Sequence, residues 1–174
     1  MDTQVDEHPT AQAVIRPASE GDLLALEWNG EFSHFRQLYR QVFEQSQTGH
    51  AIMWVAEHPN SGIIGQVFIQ FSCNRLELAN GVNRAYLFSF KIKPEYRCAG
   101  LGTRMMDVVE EDLRRRGFAW LTLNVAKDNP RARGLYERRG YRVVADEPGE
   151  WSYLDQYGHS HHVHEPAWTM EKHL

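Results

Sequence analysis

The chain has 174 residues, 42% of them hydrophobic and 24% charged, with a formal net charge of −4. That length suits one domain burying roughly 70% of its unfolded surface. The acidic balance argues against general nucleic-acid binding, no apolar run approaches the ~20 residues that cross a bilayer, and the polar N-terminus is no signal peptide. Cys73 and Cys98 lack CxxC spacing and suggest no disulfide framework, so the expectation is a reduced, cytoplasmic protein.

Residues 1–11 are polar and read as an unstructured arm, leaving 12–174 as a single domain. Ala13–Arg16 suggests a first strand. Ser19 with Asp22 three residues on, followed by Leu23, Leu24 and Leu26, suggests a capped first helix. Phe35, Leu38, Tyr39, Val42 and Phe43 recur at helical spacing and predict a second helix over 32–47. Two strands, 52–56 and 63–71, flank the turn-forming HPNSG. A further strand, 85–92, stops at Pro94.

Leu101, Met105, Val108, Val109 and Leu113 form the apolar stripe of a long helix that Gly117 ends. Its i,i+4 pairs Glu110–Arg114, Glu111–Arg115 and Asp112–Arg116 read as a solvated charged face. Strand 120–125 precedes a short helix over 130–139, and a strand begins at Tyr141–Val144. Residues 146–166 look irregular and aromatic before a last strand, 167–171. Alternation in the middle, with unaccompanied strands near the ends, predicts an α/β fold: a mixed sheet with helices on both faces.

Two segments carry chemistry. Arg97-Cys98-Ala99-Gly100-Leu101-Gly102-Thr103 joins a strand to the long helix. Its glycines let backbone N–H groups turn inward where a helix N-terminus presents unpaired donors and partial positive charge, a construction suited to phosphate. It spells neither G-x-G-x-x-G, since Met105 stands where a third glycine belongs, nor a Walker loop. Asn129-Pro130 then opens a helix as N-cap and N1. That helix tolerates Gly134 at a cost of about 1 kcal/mol against alanine.

Arg97-x-x-Gly100-x-Gly102 after the strand ending KIKPEY resembles motif A of the GNAT acetyltransferase superfamily. The run Asn129…Ala132…Leu135-Tyr136…Gly140-Tyr141 is similar to its motif B, and the likeness is dense over residues 85–144. The resemblance implies a GNAT fold: a mixed, mostly antiparallel sheet splayed between the fourth and fifth strands. It implies transfer of an acetyl group from acetyl-CoA, as co-substrate, to an amine by direct attack in a ternary complex. By position the diphosphate would rest on Arg97, Cys98, Ala99, Gly100, Leu101, Gly102 and Thr103. The Phe90 and Ile92 backbones would receive the pantetheine arm, the Phe90 N–H would polarise the thioester carbonyl, and Asn129 would contact the arm. Tyr136 would protonate the departing thiolate, since a phenol with pKa near 10 keeps its proton at neutral pH.

The base is not evident: some family members place a glutamate where Tyr86 stands here. Ser89 and Asn124 could order a water that relays the proton, and Glu31 could face the acceptor, an amine-bearing small molecule or a peptide N-terminus. Cys98 contributes its backbone at a place usually held by a small residue. In His159-Ser160-His161-His162-Val163-His164, alternation puts His162 and His164 on one face and His161 on the other. The segment therefore suits a hairpin or loop beside the acceptor site better than a metal site. A different acyl donor or nucleophile, or a non-catalytic CoA-binding module, are the alternatives, and a homodimer is compatible with the sequence.

Overall fold

The computed structural model describes residues 9–174. Seven strands form one sheet in the order β1-β2-β3-β4-β5-β9-β6. They are β1 (Val14–Pro17), β2 (Ala51–His58), β3 (Gly62–Gln70), β4 (Arg84–Ile92), β5 (Trp120–Ala126), β6 (Arg142–Glu147) and β9 (Ala167–His173). Every pairing is antiparallel except that of β4 with β5. Helices cover both faces. On one, α2 (Leu101–Arg115) buries Leu101, Met105, Met106, Val109 and Leu113 against Ile64, Val67, Leu87, Leu121 and Leu123. On the other, α1 (Arg36–Gln47) buries Tyr39 and Val42 against Met53, Val55 and Phe68. Among the described residues no helix is long and apolar enough to cross a membrane.

Several expectations need correction. The helix expected after Ser19 is two 3-10 turns, Glu20–Asp22 and Ala25–Glu27. The capping box forms, but Trp28, Asn29 and Gly30 are all left-handed, at φ 47°, 57° and 103°, and end the winding within eight residues of the cap. The second helix likewise starts as a 3-10 turn, Ser33–Phe35.

Residues 146–166 are not irregular: β7 (Glu150–Leu154) and β8 (Ser160–His164) pair as a separate antiparallel ribbon. Tyr153 opposes His161 there, while Ser152 opposes His162, so the ribbon follows the alternation of its side chains. Glu110 is not on a solvated face. It is 3% exposed and accepts from Tyr141 Oη at 2.8 Å, Lys172 Nζ at 3.0 Å and Arg139 at 3.2 Å, while Arg114 stands 3.8 Å off. The face of α2 that carries it turns toward β9 and the segment after α3 (Pro130–Arg138).

The inner end of the expected arm is fixed. Thr10, 2% exposed, donates to the Ala99 carbonyl at 3.2 Å, and Arg104 holds the carbonyls of Thr10 and Ala13 at 2.8 and 2.7 Å. The rest of that arm, residues 1–8, lies outside the described residues.

Candidate active site

The parallel pairing of β4 with β5 runs only from Arg84↔Trp120 to Leu87↔Leu123. Beyond that point β4 continues to Ile92 beside β3, and β5 continues to Ala126 beside β9. The two strands part, which is the splay expected between the fourth and fifth strands. A strand edge left this way offers backbone donors and acceptors to an extended partner.

A β-bulge sits at the parting. Gln66 opposes Lys91 and Phe68 opposes Phe88, so Ser89 and Phe90 share the single residue Val67. Ser89 takes φ 51°, and the bulge resets the alternation of β4. Phe90 and Ile92 consequently point toward α2, within 3.7 and 3.4 Å of where a Cβ on Gly102 would lie. Ser89 and Lys91 join Tyr86 and Phe88 on the α1 side.

Where β4 ends stands the glycine loop. Cys98 and Gly100 are both left-handed, at φ 60° and 81°, which bends the backbone into a concave turn at the N-terminus of α2. A Cβ on Gly100 would meet nothing within 4 Å. At Gly102 a Cβ would make only ordinary contacts with Ile92 and Phe90. Packing therefore does not demand glycine at 102, and the bare backbone suits the close approach of a phosphate group. The Arg97 guanidinium holds the Ile92 carbonyl at 2.8 Å, and Arg131 reaches Cys98 Sγ from the first turn of α3. Ala99, Leu101 and Thr103 complete the turn, with Leu101 in the core at 1% exposure.

Asn129 caps α3, its Oδ1 accepting from Ala132 N at 3.1 Å. Tyr136 is 7% exposed, and its ring lies edge-on to Tyr141 at 5.7 Å. Burial alone pushes its phenol up to about 12, so it holds its proton through the neutral range.

The α1 side of β4 carries the polar groups. Asn124 donates to Tyr86 Oη at 3.3 Å and accepts from Thr169 at 2.7 Å. Ser89 Oγ accepts from Gln66 Nε2 at 2.9 Å, and the fully buried Gln66 keeps an Oε1 with no hydrogen-bond partner among the described residues. Ser89 and Asn124 are thus both on this side, each committed to a neighbour.

Lys91 escaped the sequence reading. Its Nζ lies 3.2 Å from Tyr39 Oη and 3.7 Å from the centre of the Phe32 ring, with Phe35 at 4.8 Å. Burial pulls its ammonium down to about 8, opposed by the carboxylate of exposed Glu31. The left-handed run Trp28–Gly30 presents both Glu31 and Phe32 to it. The apolar-flanked FSFKI was the only hint in the sequence.

Phe35 also stacks with Trp151 at 6.1 Å and meets Tyr153 edge-on at 5.0 Å, so the β7–β8 ribbon closes over the same aromatic cluster. Tyr153 stacks on His161 at 5.1 Å, and His161 Nε2 pairs with Asp155 at 2.7 Å.

The sequence profile of the Acetyltransferase (GNAT) family matches residues 21–141. The [ribosomal protein bS18]-alanine N-acetyltransferase of Escherichia coli K12 is 35% identical over 111 residues, covering 58% of this chain and 72% of that enzyme. "Probable N-acetyltransferase 14" of Xenopus tropicalis is 25% identical over 115 residues; the match covers 66% of this chain but only 50% of the frog protein. Among solved structures, Ard1 from Thermoplasma volcanium superposes with a TM-score of 0.71 at 16% identity, over 94% of this chain and 98% of its own. The Vibrio cholerae spermidine N-acetyltransferase in complex with CoA and spermine gives 0.66 at 18% identity, over 94% and 96%. With a profile that spans most of the sheet and both glycine-loop and Tyr136 segments, the chain belongs to the GNAT acetyltransferase family and is an acyltransferase.

Proposed function

We propose that residues 12–174 act as one domain that moves an acetyl group from acetyl-CoA to a primary amine by direct attack in a ternary complex. The observation that carries this reading is the parting of β4 from β5 beyond Leu87↔Leu123, with the concave turn around Gly100 at the end of β4. In this reading Arg97–Thr103 hold the diphosphate with backbone N–H groups. The freed edge of β4 at Phe90 and Ile92 pairs with the pantetheine arm. The Phe90 N–H donates to the thioester carbonyl, stabilising charge that develops on oxygen.

Asn129 spends Oδ1 on its cap and keeps its amide N–H₂ for the arm. Tyr136 supplies a proton to the departing sulfur. The acceptor enters from the α1 side, past Glu31, Ser89 and Asn124, beneath the ribbon. The E. coli relative acts on an alanine of a ribosomal protein and the Vibrio neighbour is a spermidine acetyltransferase. Peptide α-amines and polyamines are therefore the first acceptors to try.

The test is free-thiol release from acetyl-CoA against a panel of such amines, with calorimetric titration of CoA alongside. Thiol release matched by acetylated amine is the expected result. No heat on titrating CoA to millimolar concentration would overturn the assignment.

A further inference from the structure

An amine that attacks a thioester must shed a proton, and on the acyl-transfer reading above something on the α1 side of β4 has to take it. Tyr86 cannot: burial raises its phenol to about 12, so it stays protonated. Ser89 Oγ is engaged by Gln66. Glu27 is locked in a two-point pair with Arg36 at 2.7 and 2.9 Å, and Asp155 is paired with His161. Lys91 remains.

It stands on β4 between Phe90 and Ile92, the two residues whose backbone borders the splay, and the Ser89 bulge sends its side chain to the acceptor side. We propose that Lys91 Nζ is the general base. It takes a proton from the amine nitrogen as the N–C bond forms and the C–S bond breaks, while Tyr136 protonates the sulfur. Lys91 then returns its proton to water and Tyr136 regains one, so amine and thioester become amide and thiol with nothing left over.

The surroundings of Nζ suit a group that must exist in both forms. Burial disfavours the ammonium, whereas the Phe32 and Phe35 faces and the Glu31 carboxylate favour it. The two influences oppose each other, and both protonation states are accessible near neutral pH. Tyr39 Oη fixes the position of Nζ. The other titratable groups facing this pocket are His34, 4.2 Å from the Phe35 ring, Tyr153 of the ribbon, and Glu27 behind Tyr39, neutralised by Arg36. Gln66 Oε1, across the register from Lys91, is a buried acceptor with no hydrogen-bond partner among the described residues.

The experiment compares kcat against pH at saturating acetyl-CoA for the parent, Lys91→Met and Lys91→Arg, using two acceptors whose amine pKa values differ. The parent is expected to show a rise near pH 8 that stays in place when the acceptor is changed. Both variants should lose that rise and fall on the order of a hundredfold in kcat, with CoA affinity by calorimetry unchanged. Carbon-13 NMR titration of lysine-labelled chain gives an activity-free readout. A resonance absent from Lys91→Met should titrate near 8, and one titrating above 10 overturns the proposal. So does a Lys91→Met variant with near-parental kcat and the rise intact. A parent that binds CoA yet releases thiol with no amine overturns the acyl-transfer reading itself, and the base with it.

Discussion

In an unbroken strand Lys91 would share a face with Ala85 and Leu87 and drive an ammonium into the core beneath α2. One extra residue at Ser89 prevents that. No glycine marks the bulge, so the sequence offers a lysine between two apolar residues and no means of telling which way it points. The left-handed Ser89 is a backbone condition that only the pairing of β3 with β4 reveals.

The half-buried amine has a measurable cost. Its folded-state pKa lies below that of the unfolded chain, 10.5 falling to about 8. Between those values the unfolded state binds more protons, so the stability of the parent rises with pH across that window. Lys91→Met should therefore be more stable than the parent by about 1–2 kcal/mol near neutrality, discounted for partial exposure. The gap should close toward pH 10.5, as read by urea unfolding across that range. Tyr136 behaves differently, being fully protonated throughout. Tyr136→Phe should lower kcat roughly tenfold or more while CoA affinity holds. Unchanged kcat would make it a packing residue.

At the scale of elements, the two glycines of the loop separate conformation from approach. Gly100 is left-handed, so Gly100→Ala strains the turn by ~1–2 kcal/mol and should lower both the melting temperature and CoA affinity. Gly102 has room for a methyl against Ile92. Gly102→Ala should leave the melting temperature nearly unaltered and weaken CoA binding by about tenfold, the loss of ~1.4 kcal/mol of phosphate contact. Equal binding by the two proteins would show that no ligand comes close at 102.

These elements were legible because their signals are local: helical spacing from Leu101 to Leu113, a cap at Asn129, a terminating Gly117. The segments misread are those governed by distant partners. Residues 146–166 look irregular in sequence; within them HSHHVH, whose alternation suits a hairpin or loop, is a strand because β7 lies beside it. The ribbon is anchored in turn by Trp151 and Tyr153 against Phe35, more than a hundred residues earlier in the chain. Gly149, at φ 71°, marks its neck, where a Cβ would collide with the Glu165 carbonyl. The capped turn at Ser19 misled in the opposite sense: a sound N-terminus was followed by left-handed residues that no propensity anticipates.

Across the whole molecule, Glu110 ties α2 to both Tyr141 and Lys172 of β9, joining segments that the sequence keeps thirty and sixty residues apart. Nothing in an E-E-D-L-R-R-R run distinguishes this carboxylate from its solvated neighbours. Glu110→Ala would strand a buried hydroxyl and an ammonium and leave Arg139 with Asp107 alone, and should destabilise the fold by about 3–5 kcal/mol in urea unfolding. Glu111→Ala, on the same helix but half-exposed in a surface pair, should cost under ~1 kcal/mol.

The early separation of two central strands also means that the polypeptide alone does not finish its own sheet. Those amide hydrogens between Phe88 and Ile92 that turn away from β3 are left to whatever molecule wedges in beside them, so occupancy should register as a change in their solvent exchange. Added CoA should slow deuterium uptake there and raise the unfolding temperature in step with its concentration, as for any ligand that the folded chain binds and the unfolded chain does not. In the proposed complex the small molecule would serve, for the duration of its stay, as an eighth strand.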